Sequence, residues 1–243
     1  MWRETLTHQI MIRIKCFSFN PFQECCTVAS DESGKAVIVD PGCYDENEIS
    51  VLTSYIAGSG LQIEKILLTH GHFDHIFGVS ALAERYDVPV LMSPADKVIL
   101  ENNGIFCRKF GLAVPDTSFA VPAEEGGRLT GIKDGDIIEW GDNNRWEVLA
   151  TPGHTPGGVC FLDRTEKLLV SGDTLFAGSI GRTDNQWGDY DALMESIFGK
   201  LMPLDGDIEV IPGHGPHTSI ADERTKNPFL MPFNEPLEEE DAE

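Results

Sequence analysis

Thr69-His70-Gly71-His72-Phe73-Asp74-His75 gathers three imidazoles and a carboxylate into one short stretch of a chain that holds seven histidines. Lys65-Ile66-Leu67-Leu68 before it is apolar and strand-like, and Val79, Leu82, Ala83 and Tyr86 after it recur at helical spacing. The cluster therefore falls in a tight loop between a buried strand and a helix, where binding groups are commonly displayed. Imidazole together with carboxylate suits zinc and its first-row neighbours, whereas calcium and magnesium take oxygen ligands. Four such groups forced together without a cation would be desolvated with little compensation. The stretch reads as a metal site whose remaining ligands come from elsewhere in the chain.

The flanking segments set the fold class. Strand-like runs cover Ile12 to Phe17, Cys26 to Ala29 and Ala36 to Val39, with a hairpin turn at Asp31-Glu32-Ser33-Gly34. Glu48, Ile49, Val51, Leu52, Tyr55 and Ile56 form an amphipathic helix closed by Gly58-Ser59-Gly60. Val88 to Met92 is a further strand, which gives a β–α–β–α–β alternation. Between residues 93 and 135, Pro94 to Leu100 is compatible with a helix, but Asn102-Asn103-Gly104, Pro115, Pro122 and Gly126-Gly127 break the pattern. This excursion reads either as a substrate-facing wall or lid, or as a loop packed over the core edge. Strands return at Asp136 to Trp140, Arg145 to Leu149, Gly158 to Leu162, Lys167 to Val170 and Ile208 to Ile211, with helices over Asp189 to Lys200 and Ser219 to Lys226. Both halves read as sheets covered by helices, an α/β (α+β) class in a single domain over 11–234. Residues 1–10 are expected to be a disordered lead-in before a second methionine, and 235–243 an acidic disordered tail.

Charge and cysteine usage narrow the function. Lys and Arg number 18 against 40 Asp and Glu, a net charge of −22, which would repel a nucleic-acid backbone. The six cysteines show no Cys-x-x-Cys pairing, and adjacent Cys25 and Cys26 suit reduced, packed residues. A reducing, cytoplasmic setting is the expectation. No apolar run spans a bilayer and the N-terminus lacks a signal-peptide block, so no membrane partner is expected.

Three later residues complete the pattern. His154 lies in Thr151-Pro152-Gly153-His154-Thr155-Pro156-Gly157, Asp173 in Ser171-Gly172-Asp173-Thr174, and His214 in Pro212-Gly213-His214-Gly215-Pro216. Each directly follows a strand and is framed by residues that let the backbone turn sharply. His8 and His217 fall outside this pattern and read as surface residues.

Thr69-His70-x-His72-x-Asp74-His75 followed in order by His154, Asp173 and His214 resembles the metallo-β-lactamase superfamily. Gly181-Arg182-Thr183-Asp184, Pro212-Gly213-His214-Gly215-Pro216 and Glu223-Arg224-x-x-Asn227-Pro228-Phe229 are similar to its short, glyoxalase II-like (hydroxyacylglutathione hydrolase-like) branch. The resemblance implies an αββα sandwich with a metal centre at one edge. It implies that His70, His72 and His154 hold one metal ion, that Asp74, His75 and His214 hold a second, and that Asp173 bridges both. Two divalent ions are implied, zinc first, with iron or manganese as alternatives, and Asp74 and Asp173 become the catalytic carboxylates. The expected reaction is hydrolysis of a small-molecule acyl thioester, acyl-glutathione-like, by a metal-bound hydroxide. The full-length glyoxalase II family adds a C-terminal helical domain with basic groups for glutathione, where this sequence has an acidic run. No Gly-x-Ser-x-Gly element supports a covalent serine route. The alternative is a persulfide dioxygenase of the same fold, holding one iron through His70, His154 and Asp173. Arg182 is expected to pair with Asp184 or to meet an anionic substrate, and Asp40 to orient a ligand histidine.

Overall fold

Central strands buried on both faces build two sheets that share one apolar layer. The computed structural model describes residues 12–231, so the lead-in at 1–10 and the acidic run at 235–243 lie outside the described residues. The first sheet is formed, in spatial order, by β1 (Arg13–Phe19), β2 (Glu24–Ser30), β3 (Lys35–Val39), β4 (Gln62–Leu67), β5 (Val90–Met92) and β6 (Leu129–Gly131). The second holds β7 (Ile137–Trp140), β8 (Asn144–Ala150), β9 (Val159–Asp163) and β10 (Leu168–Gly172). Beyond the small hairpin of β11 (Leu175–Phe176) and β12 (Ser179–Ile180), it is completed by β13 (Glu209–Pro212) and β14 (Thr218–Ser219). From β3 through β6 the first sheet is parallel, and β10 pairs parallel with β13 in the second.

The two-residue strand period assigns each side chain to a layer. Val37 and Val39 of β3 point inward with Leu67 and meet Trp146, Val148, Phe161 and Val170 of the facing sheet. Their neighbours Ala36 and Ile38 point outward and are covered by Leu52 and Ile56 of α1 (Glu46–Gly58). The short α2 (Phe73–Ile76) and then α3 (Val79–Tyr86) continue that cover through Ile76 and Leu82. On the opposite side Cys160, Leu162 and Leu169 face outward. After α4 (Lys97–Phe110), α5 (Tyr190–Ser196) and α6 (Ile220–Lys226) cover these residues with Leu193 and Ile220. The layers are α, β, β, α, as the resemblance implied. Trp146, buried between the sheets, satisfies its indole N–H on Asp163 at 3.0 Å, whereas the indole N–H of its neighbour Trp140 is buried without a hydrogen-bond partner.

The middle excursion differs from expectation. Instead of breaking at Asn102-Asn103-Gly104, helix α4 runs unbroken from Lys97 to Phe110 and ends on Gly111 at φ +70. Local propensity is overridden by packing. Ile99, Leu100 and Cys107 are buried, and Asn103, on the same side, donates through Nδ2 to the Gly71 carbonyl at 2.8 Å. The helix is thereby fastened to the His-rich loop, and its next turn faces the site.

Candidate metal centre

The histidine loop leaves β4 of the first sheet at the same end of the sandwich where β8, β10 and β13 of the second end, and there the structure brings together all seven residues singled out from the sequence. His70, His72 and His154 offer nitrogens that converge as one possible metal-holding group, and Asp74, His75 and His214 converge as another. His72 Nδ1 lies 2.9 Å from His154 Nε2, and His75 Nε2 lies 3.3 Å from His214 Nε2. Asp173 stands between the groups, with Oδ2 3.4 Å from His154 Nε2 and Oδ1 3.5 Å from His75 Nε2.

Outer partners fix which nitrogen faces inward. The Nδ1 atoms of His154 and His214 lie 2.8 Å from the Arg182 carbonyl and 3.0 Å from the Phe22 carbonyl. Both therefore donate from Nδ1 and turn Nε2 toward the cluster, the atom that would ligate a metal ion. His70 places Nδ1 3.0 Å from the Thr69 hydroxyl, and His75 places Nδ1 3.0 Å from Asp40 Oδ2. Asp40 also accepts from the Thr69 amide at 2.8 Å, which accounts for its position as an orienting carboxylate.

The donor set fits divalent metal. His70 Nε2 and Asp173 Oδ1 are buried without a hydrogen-bond partner, although both belong to groups that are nearly always paired. Burial, reinforced by neighbouring imidazoles, pushes the proton affinities of His70 and His72 well down, so both stand in the neutral, ligating form. At Asp74 burial opposes ionisation, but the hydrogen bond from His214 and the field of nearby histidines outweigh it and hold the carboxyl below its usual range. Burial likewise opposes a charge on His75, yet the carboxylates of Asp173, Asp40 and Asp74 raise its proton affinity, marking a pocket that favours cations.

The backbone at these turns is bound to glycine. Gly172 sits at φ +50, and a Cβ there would lie 2.4 Å from Thr69 Oγ1. At Gly213 a Cβ would lie 2.3 Å from Asp173 Oδ1 and 2.8 Å from His75 Cε1.

Several supporting residues escaped the sequence reading. Asp96 is fully buried and accepts from the Gly71 amide at 2.7 Å, the Thr155 hydroxyl at 2.9 Å and the Gly157 amide at 2.5 Å, tying the His70 loop to the His154 loop. Its signal was available, since it too follows the end of a strand. Asn20 donates through Nδ2 to the carbonyls of Gly42 and Asp74. Glu24 is buried behind the site with no hydrogen-bond partner for either oxygen, and burial raises its carboxyl well above the usual range.

A cavity of about 560 Å³ opens over the inward-facing atoms. His72, Asp74, His154, Asp173 and His214 form its floor, and Phe22, Phe73, Phe106, Phe110 and Trp187 form a wall. The rings meet edge to face, Phe22 at 5.2 Å from both Phe73 and Phe110, and Phe106 at 5.8 Å from Trp187. Arg182 is paired with Asp184 at 2.8 Å, as expected, and both remain exposed at the mouth. No helix among the described residues is long and apolar enough to cross a membrane.

Comparison with known proteins agrees with this architecture. The family model of the metallo-β-lactamase superfamily matches residues 20–218. Hydroxyacylglutathione hydrolase GloC of Haemophilus influenzae is 36% identical over 225 residues, covering 90% of this chain and 98% of that protein. The crystal structure of TTHA1623 in a di-iron-bound form is 35% identical with a TM-score of 0.75, covering 89% of this chain and 100% of that one. ETHE1 from Myxococcus xanthus is 26% identical with a TM-score of 0.69, covering 90% and 84%. With its αββα layers, its convergent His and Asp clusters and this breadth of similarity, the chain belongs to the metallo-β-lactamase superfamily, as a metal-dependent hydrolase.

Proposed function

We propose that the protein is a two-metal hydrolase that cleaves an acyl thioester whose thiol part is glutathione-like. The observation that carries the reading is Asp173, whose two oxygens face His154 on one side and His75 on the other. His70, His72 and His154 would hold one ion, Asp74, His75 and His214 the other, and Asp173 both. Zinc suits this imidazole-rich set, and a relative 35% identical is described in a di-iron-bound form. Bound divalent ions supply a water whose pKa falls from 15.7 to about 7 and an electrophilic contact for a carbonyl oxygen.

The chain's own residues supply the remainder. Asp74 Oδ2, 3.5 Å from His214 Nε2, is held ionised on the cavity floor, where it can accept a hydrogen bond from water and orient it. The aromatic wall excludes bulk water and seats the apolar part of an acyl thioester. A thiol leaving group, with a pKa of about 8.5, departs as thiolate with little acid assistance. Lys109 stands at the cavity rim, where it would meet a carboxylate of the departing thiol. The greater identity and coverage of the hydroxyacylglutathione hydrolase, compared with ETHE1, favours this reading over an oxygenase.

The test is turnover of acyl-glutathione and of glutathione persulfide by one metal-defined preparation, under air and under nitrogen. Thioester cleavage at equal rates in both atmospheres is expected. Oxygen-dependent persulfide turnover without thioester cleavage would overturn the proposal.

A further inference from the structure

Away from the metal centre, the open edge of the sandwich carries a second chemically organised group. Cys16 on edge strand β1 lies opposite Thr27 on β2, and Cys25, two residues before Thr27, shares the same face. Cys16 Sγ is 3.4 Å from His217 Nε2, and His217 Nδ1 is 2.8 Å from Glu209 Oε1 of β13 in the facing sheet. The Thr27 hydroxyl stands between the sulfurs, 3.6 Å from Cys16 Sγ and 3.9 Å from Cys25 Sγ. A thiol, an imidazole and a carboxylate in line are the parts of an activated nucleophile. His217, which the sequence marked as an ordinary surface residue, is its central member.

We propose that Cys16 is a peroxide-reactive thiolate, paired to His217 and Glu209, with Cys25 as its resolving thiol.

The surroundings select this thiol over the others. A hydrogen bond from Cys25, opposed by burial and joined by the hydrogen bond to His217, draws Cys16 down to about 5. The hydrogen bond to Cys16, opposed by burial and joined by Glu209, raises His217 to about 9. Between those values the two form a thiolate–imidazolium pair. Cys26, Cys43, Cys107 and Cys160 are buried, and burial pushes each of them up, so they stay protonated and shielded. The hydrogen bond to Cys16, followed by burial, the Cys16 charge and that of Glu24, holds the proton on Cys25.

The chemistry balances with a hydroperoxide as oxidant. The Cys16 sulfur attacks one peroxide oxygen; an S–O bond forms, the O–O bond breaks, and the leaving oxygen takes a proton from His217. Cys16 is then a neutral sulfenic acid, which removes the charge that held the proton on Cys25. The Cys25 sulfur attacks the sulfenic sulfur, an S–S bond forms, the S–O bond breaks, and the hydroxyl leaves as water with the Cys25 proton. Two electrons pass from the two thiols to the peroxide. A disulfide needs Cα atoms within about 6.8 Å, slightly closer than the roughly 7–8 Å of a regular diagonal strand pair. Closing it draws in β1, which among the described residues is paired on one side alone.

The experiment uses the zinc-loaded full-length protein. Iodoacetamide labelling followed by peptide mass mapping should show Cys16 alkylated with a midpoint near pH 5, far below the about 8.5 of an ordinary cysteine. His217→Gln should slow labelling at pH 6 by about tenfold or more, and Glu209→Gln should slow it less. One equivalent of hydrogen peroxide should join Cys16 to Cys25, and in Cys25→Ser it should leave a dimedone-reactive sulfenic acid on Cys16. Cys16→Ser should keep wild-type thioester turnover, so this outcome is separable from that of the hydrolase assay. A Cys16 midpoint at pH 8 or above, or a peroxide product without the Cys16–Cys25 link, would overturn the assignment.

Discussion

His75 turns Nδ1 toward Asp40 Oδ2 at 3.0 Å, and neither side chain is open to solvent, with exposures of 0% and 2%. The carboxylate thus fixes the ring so that Nε2 faces His214 and Asp173. Asp40→Asn keeps the shape but removes the anion that raises the basicity of the ring. Metal affinity should fall about 10–100-fold, read by competition with a chromophoric chelator, while the melting temperature of the metal-free protein changes less. Unchanged affinity would show that Asp40 orients nothing.

The aromatic wall should act on binding rather than on chemistry. Phe106 packs edge to face on both His72 and Trp187 at 5.8 Å. Phe106→Ala should raise KM for an apolar acyl thioester by roughly tenfold with kcat nearly unchanged. A fall in kcat at constant KM would place Phe106 with the reacting groups instead.

The αββα order was legible because short apolar strand runs such as β3 alternate with amphipathic helices in both halves, and because the ordered ligand motifs, each following a strand, resemble a family of that fold. Helix α4 was not legible, since Asn102-Asn103-Gly104 is a poor helical sequence that is held by the Asn103 bond to Gly71. Asp96 was missed because its partners, Gly71 and Gly157, are joined only in three dimensions. Cys16 and His217 lie 201 positions apart, and no local pattern signals that two sheet edges bring them together.

Asp31 offers a test of stability. Its side chain is 4% exposed and accepts from the Ser33 hydroxyl and from the amides of Ser33, Lys35 and Asp142. Burial works against the charge, but these hydrogen bonds outweigh it and lower the carboxyl below its usual range. Because the folded value is the lower one, the carboxylate's stabilisation is full above the unfolded pKa and is lost as pH falls through the folded one. Asp31→Asn should therefore cost about 1.5–3 kcal/mol at neutral pH. The gap to wild type in urea unfolding should narrow below about pH 4. A gap that widens in acid would contradict the argument.

The most direct measurement is a zinc titration of the metal-free protein, read as acyl-glutathione hydrolysis under nitrogen, with Asp173→Ala alongside. Hydrolysis should rise to a plateau at about two equivalents of zinc, and the variant should bind neither ion tightly and stay inactive, because one carboxylate serves both groups. A plateau at one equivalent, full metal content in Asp173→Ala, or turnover that appears only with iron and oxygen would contradict a two-metal hydrolase.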